Sequence, residues 1–342
     1  MNYLFGILSK IKMNYLPPEI IDIIIDYAVE REYVLKEGLE IDLEKTNNLF
    51  YLSTNTNAFD YFLKNPDQII WNQFCILSHD RAVDYILNFL NTNAIKRNDD
   101  IMTTFYLSFN RNPRIIEYLI NNPKYICLVF LAQNPSNKAV EYLLKLPRQN
   151  LDNINTLYAN KHKKIVKYIC NNLYKNFPNR INWACLSANT NTRAVKLLLL
   201  PENQSKISWL EFCRNTNSLA VDFILSKNEN GELIHYDKFR PTIATNPHHK
   251  IVSFLLETDE TRRDYKHSFN KNPNDRVIKF LFQNEEFIDW YGLACNKNRN
   301  LIDRLMINHK DKIKQYPNFY GHPNIFVEVP NVCKKDLKRR TK

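Results

Sequence analysis

Residues 189–199 read NTNTRAVKLLL, and the recurrence of that phrase decides the fold. It returns as NPSNKAVEYLL from Asn134, NTNSLAVDFIL from Asn215, NPHHKIVSFLL from Asn246 and NPNDRVIKFLF from Asn272. Weaker copies surround Ala58, Ala82, Ile115, Ile165 and Leu301. The four tryptophans hold one register: Trp71, Trp183, Trp209 and Trp290 stand twelve residues before Val83, Val195, Val221 and Ile302. Repetition at intervals of about 24 to 33 residues predicts a stack of similar units rather than a closed globule.

Each unit reads as two helices. In INWACLSANTNTRAVKLLLL, from Ile181 to Leu200, a short first helix is expected from about Trp183 to Ala188 and a second from near Thr192. Ala194, Val195, Leu197, Leu198 and Leu199 wrap more than half of that second helix, as a helix sandwiched between neighbours requires. Asn suits the loop between the two helices, because it tolerates the left-handed backbone that ends a helix and its side chain caps the next. Pro113, Pro135, Pro247 and Pro273 follow such asparagines, which predicts an Asn N-cap and a Pro in the first helical turn. Polar stretches from Asn88, Leu173 and Ser226 read as inserted loops after second helices, all on one side of the stack. The recurrent Trp reads as packing between units.

Composition narrows the function. At 44% hydrophobic and 13% aromatic, the 342 residues can build a large core. About one residue in seven is Asn, far above ordinary usage. Seven cysteines lack paired spacing or a CxxC and suit buried thiols in a reducing, cytoplasmic compartment. No run of apolar residues is long enough to span a bilayer, so no membrane partner is expected. The opening MNYLFGILSK lacks the form of a secretory signal, and MNYL recurs at Met13, leaving that methionine as a second candidate start. Of the net charge of +11, the last nine residues supply five through Lys334, Lys335, Lys338, Arg339, Arg340 and Lys342 against Asp336. The remaining +6 reads as spread over the chain. The basic end is a candidate phosphate-binding patch or nuclear-localisation signal, with a solvated tail as the plainer reading.

Catalytic motifs are missing from the sequence. The five glycines lie far apart, so no GxGxxG, P-loop or GxSxG can form. His248 and His249 are adjacent and diverge on a helix, a poor grip for one ion. Asp99–Asp100, Asp259–Glu260 and Glu285–Glu286 read as solvated loop charges. No catalytic residue, cofactor or metal is expected.

HKKIVKYICNN, from His162, resembles the second helix of ankyrin repeats, and INWACLSAN resembles the Asn-rich ankyrin-like repeats of giant DNA viruses. The resemblance covers roughly Leu49 to Ile313, without the ankyrin TPLH signature or its Gly-rich hairpin. It implies an all-α, ankyrin-like α-solenoid of about ten short helix-pair repeats, largely lacking β-hairpins. LPPEIIDIIIDYA, from Leu16 to Ala28, is similar to the opening helix of an F-box, the module that docks on the Skp1 adaptor of cullin-type ubiquitin ligases. That likeness implies adaptor contacts by Leu16, Pro17, Pro18, Glu19 and Ile20; a helix capping the first repeat is the alternative.

The expected organisation is therefore an N-terminal cap or F-box-like segment over 1–48, repeats over 49–316, and a C-terminal cap with basic tail over 317–342. The expected function is a non-enzymatic protein-interaction scaffold for a host or viral protein, in its sharper form a substrate adaptor for host ubiquitylation. Nucleic-acid binding and a structural role in a virus particle are the alternatives.

Overall fold

The computed structural model describes residues 31–37, 39, 46–92, 100–147, 151, 154–229, 239–257 and 266–330. The chain is predominantly helical. Among the described residues the only strands are β1 (Arg31–Leu35) and β2 (Phe326–Pro330), which pair antiparallel with each other.

The repeated phrase folds as read. The helix Trp183–Ser187 is followed by Thr192–Leu198, and Trp209–Phe212 by Ser218–Glu229. Ala194, Val195 and Leu198 are fully buried, as are Ala139, Val140 and Leu143 in Asn137–Lys145 and Val277, Ile278 and Leu281 in Asp275–Gln283. First helices pack on first helices and second on second, so one apolar core runs through all units. The tryptophans are half-buried at the starts of first helices, and Trp71 stacks on Phe89 with ring centroids 3.6 Å apart.

What binds one unit to the next is a ladder of buried asparagine. Asn55, Asn110, Asn134, Asn160, Asn189, Asn215, Asn246, Asn272 and Asn296 are each at most 3% exposed. Each donates both Nδ2 protons to two main-chain carbonyls of a neighbouring unit, at 2.6–3.1 Å. Each Oδ1 accepts the amide proton two residues on, at 2.8–3.1 Å. A carboxamide fills this position because it carries two donors and an acceptor on one short, planar group. One carbonyl of each pair lies at a first-helix end, where helix geometry leaves it unpaired, and the other two residues on in the loop.

This corrects the expected role of the loop asparagines. In NPS, NPH and NPN the Asn before Pro is the inter-unit ladder residue. The side-chain cap falls two residues later, on Ser136, His248 and Asn274, so these prolines precede the cap. Only Asn112–Pro113 follows the expected order, with Pro113 in the first turn. A third class ends helices: Asn65, Asn122 and Asn284 donate back to the carbonyl four residues earlier at 2.9 Å. Their φ values are −133°, −130° and −138°, so the left-handed conformation is not used there.

The ladder does not stop at the ends. Asn55 of the first described unit donates to Tyr320 and His322 carbonyls at 3.0 and 2.9 Å, and Asn57 to Pro323 at 3.2 Å. Those acceptors repeat the pattern seen at every interior step, so the first unit sits against the last as a successor would. β1 pairing with β2, and Lys36 against Asp303, reinforce this seam. The register, expected to end at residue 316, thus continues: His322-Pro323-Asn324 stands where Asn272-Pro273-Asn274 stands earlier. His322 Nδ1 accepts from the Asn324 amide at 3.2 Å and Nε2 donates to the Asn298 carbonyl at 2.7 Å. These partners fix a neutral imidazole protonated on Nε2, mimicking a carboxamide. Instead of a cap facing water, residues 317–330 meet the first unit.

One glycine is demanded by this packing. A Cβ on Gly292 would lie 2.6 Å from the His267 carbonyl oxygen, where Trp290–Ala294 crosses Lys266–Asn270. We expect Gly292→Ala to cost about 1–3 kcal/mol in denaturant unfolding; an unchanged midpoint would show that the two helices separate freely.

Candidate binding surfaces

Two clefts flank the seam. The larger, about 610 Å³, lies between Thr54 and Thr56 on one side and Lys297, Arg299, Asn318 and Asn324 on the other. Its described lining carries two cations and no carboxylate. The smaller, about 300 Å³, is lined by Phe59, Asp60, His79, Arg81 and Glu328. Arg81 holds Asp60 through two bonds, the shorter 2.6 Å, and lies over the Phe59 ring at 5.2 Å. Its carboxylate is therefore committed to structure.

Four of the cysteine thiols are muted. Burial pushes the thiols of Cys75 and Cys213 up to about 12, and raises Cys170 and Cys185 as well. A thiol so shifted stays protonated and unreactive near neutrality. Among the described residues no group of three or more His, Cys, Asp or Glu could hold a metal ion. His248 and His249 stack at 4.4 Å, and His248 Nδ1 accepts the Lys250 amide proton. No helix of the described residues is long and apolar enough to cross a membrane.

Four histidines share one task. Nδ1 of His79, His162, His248 and His322 accepts a main-chain amide in the repeat loops. Burial, the largest cause in each, lowers all four pKa values. A lowered imidazole pKa means that the unfolded chain takes up protons first, so stability is full above about 6.5 and falls below it. We expect a lower denaturant midpoint at pH 5.5 than at 7.5, and a smaller drop in His162→Asn and His248→Asn, which keep a neutral acceptor. Equal drops in these variants would sink the assignment.

The exposed face of the second helices carries a second repeated pattern. A basic residue pairs with an acidic residue of the preceding unit: Arg114 with Asp84 at 2.6 Å, Lys138 with Glu117 at 2.5 Å, Lys164 with Glu141 at 3.6 Å, and Lys250 with Asp222 at 2.5 Å. In three units the acidic position is reversed, to Lys167, Lys196 and Lys279, the first two in consecutive units. Between Asn153 and Pro201 the chain has eight Lys and Arg and no Asp or Glu. That window carries +8 and the tail +5, which together exceed the net +11, leaving the rest slightly acidic. The charge is therefore concentrated, contrary to the even spread expected, and a sliding count of charge would have found it.

The expected adaptor residues Leu16, Pro17, Pro18, Glu19 and Ile20 lie outside the described residues, as do Lys334, Lys335, Lys338, Arg339, Arg340 and Lys342 of the tail. No protein-family model, curated protein or solved structure matches the chain.

Proposed function

We propose that this chain is a non-catalytic binding scaffold, an ankyrin-like array of helix pairs closed on itself through the seam. The observation that carries this reading is where the repeated polar groups go. Ladder asparagines are consumed by neighbouring units, leaving residues that differ from unit to unit on the surface. A framework uniform inside, whose exposed charge pattern is broken only in some units, suits recognition of a macromolecule.

The test is affinity capture by the intact chain from its native cell extract, with exposed second-helix residues changed one unit at a time. We expect a stable partner that is lost on changing one stretch of consecutive units and retained elsewhere. Turnover of a small-molecule substrate by the purified chain alone would overturn the reading.

A further inference from the structure

We propose that the exposed face formed by the helices Lys163–Tyr168 and Thr192–Leu198 binds the phosphodiester backbone of a nucleic acid. This rests on the scaffold reading and names its partner class.

Four cations define the face. Lys164 and Lys167, like Arg193 and Lys196, stand three residues apart, on one side of a helix. The two helices are neighbours in the array, and all four side chains are exposed. Their register matches Arg114 with Glu117 and Lys138 with Glu141 in sister units. There, the cation of one unit meets the anion of the unit before it. Here Arg193 follows Lys167, so a like-charge pair stands where Arg114, Lys138, Lys164 and Lys250 each meet a carboxylate. Among the described residues only Lys164 of the four has a carboxylate within ion-pair distance, and at 3.6 Å.

The composition favours a nucleic acid over an acidic protein. Protein–protein interfaces are depleted of Lys and built around buried aromatic or Arg anchors. Six of the eight basic residues in the acid-free window are Lys, and the apolar residues of both helices point into the core. Lysine serves phosphate as a point charge without demanding a fixed geometry. The same window presents Phe177, 40% exposed, with Arg180 lying 5.2 Å from its ring centroid, an aromatic–guanidinium pair of the kind on which bases stack.

The test is fluorescence anisotropy of labelled mixed-sequence duplex DNA with the full chain, titrated between about 50 and 200 mM salt. Lys167→Glu with Lys196→Glu restores the acidic register of the sister units, so folding is retained and its denaturant midpoint is unchanged or raised. We expect the double variant to bind at least ten-fold more weakly at the lowest salt. The slope of log affinity against log salt should become shallower by about 2, two phosphate contacts being removed. Binding that is equal in the variant, which would assign it to the basic tail, overturns the proposal. So does retention of polyglutamate with no retention of DNA, which assigns the face to an acidic protein. In either case partner capture by other faces still stands, so the scaffold reading is judged separately.

Discussion

Asn189→Asp is expected to destabilise the fold more than Asn189→Ala, although aspartate is nearly the same size and shape. Asn189 is fully buried, donates to the Tyr158 and Asn160 carbonyls at 2.9 Å each, and accepts the Asn191 amide at 3.0 Å. Alanine leaves two carbonyls and one amide without partners. Buried unmade hydrogen bonds cost about 1–3 kcal/mol each, so a loss of roughly 3 kcal/mol or more is expected. Aspartate keeps the acceptor but aims a buried negative charge at two carbonyl oxygens. It must either bear that repulsion or take up a proton, so its deficit should shrink as pH falls. Circular dichroism in urea at pH 7.5 and 5 measures both variants. If Asn189 were only a turn or capping residue, Asp would serve as well as Asn, and equal stability of Asp and wild type would refute the ladder.

Asn191, two residues on, supplies the contrast. Its Oδ1 caps the Arg193 amide at 3.0 Å, and its Nδ2 reaches the Lys161 carbonyl at 3.1 Å at an exposed site. There Asn191→Asp keeps the cap, and water can replace the lost donor; the expected cost is below about 1 kcal/mol. The two asparagines of NTN thus separate by a substitution that changes one atom.

That separation shows how far the sequence could be read. The apolar phrase gave its helices directly: the expected second helix near Thr192 begins there, and the first, expected to about Ala188, ends at Ser187. Periodicity reports burial, and burial is what those residues share. It does not report which carbonyl an amide will meet in another unit. Asn189 and Asn191 look alike in sequence, and their division of labour emerges only when a neighbour is stacked on them. The last unit was hidden for a related reason. His322 replaces the ladder Asn, and only the shape of its hydrogen bonds shows the equivalence. Leu77 likewise stands at the ladder position of the unit around Ala82, which its apolar phrase and Trp71 still marked: Asn110 donates to the Leu77 carbonyl at 2.8 Å, as other ladder residues do to an asparagine's. The basic face escaped notice because a net charge averages over the chain, whereas recognition depends on the local sum.

The seam was the least legible feature, since Asn55 and His322 are 267 residues apart. Its physical logic is nevertheless that of the ladder. An open array would expose two apolar end faces and leave the amide of Asn55 and the carbonyls of Tyr320 and His322 to water. Joining the ends satisfies both, which removes the need for polar caps that open repeat arrays have. Asn55→Asp combined with Val327→Pro attacks the seam twice, by charge repulsion at Asn55 and by a strand break opposite Val34. The interior ladder from Asn110 to Asn296 is untouched. We therefore expect helical circular dichroism to be retained while the radius of gyration, by small-angle X-ray scattering, increases. Unfolding should also change in kind. A closed array has no weak end from which to start, so wild type should unfold in a single urea transition. The opened variant should lose its terminal units first, giving a broader or stepped transition with a lower apparent m-value. A variant with unchanged dimensions and the same sharp transition would mean that the ends contribute nothing to holding the array together, and closure would then be incidental to its stability.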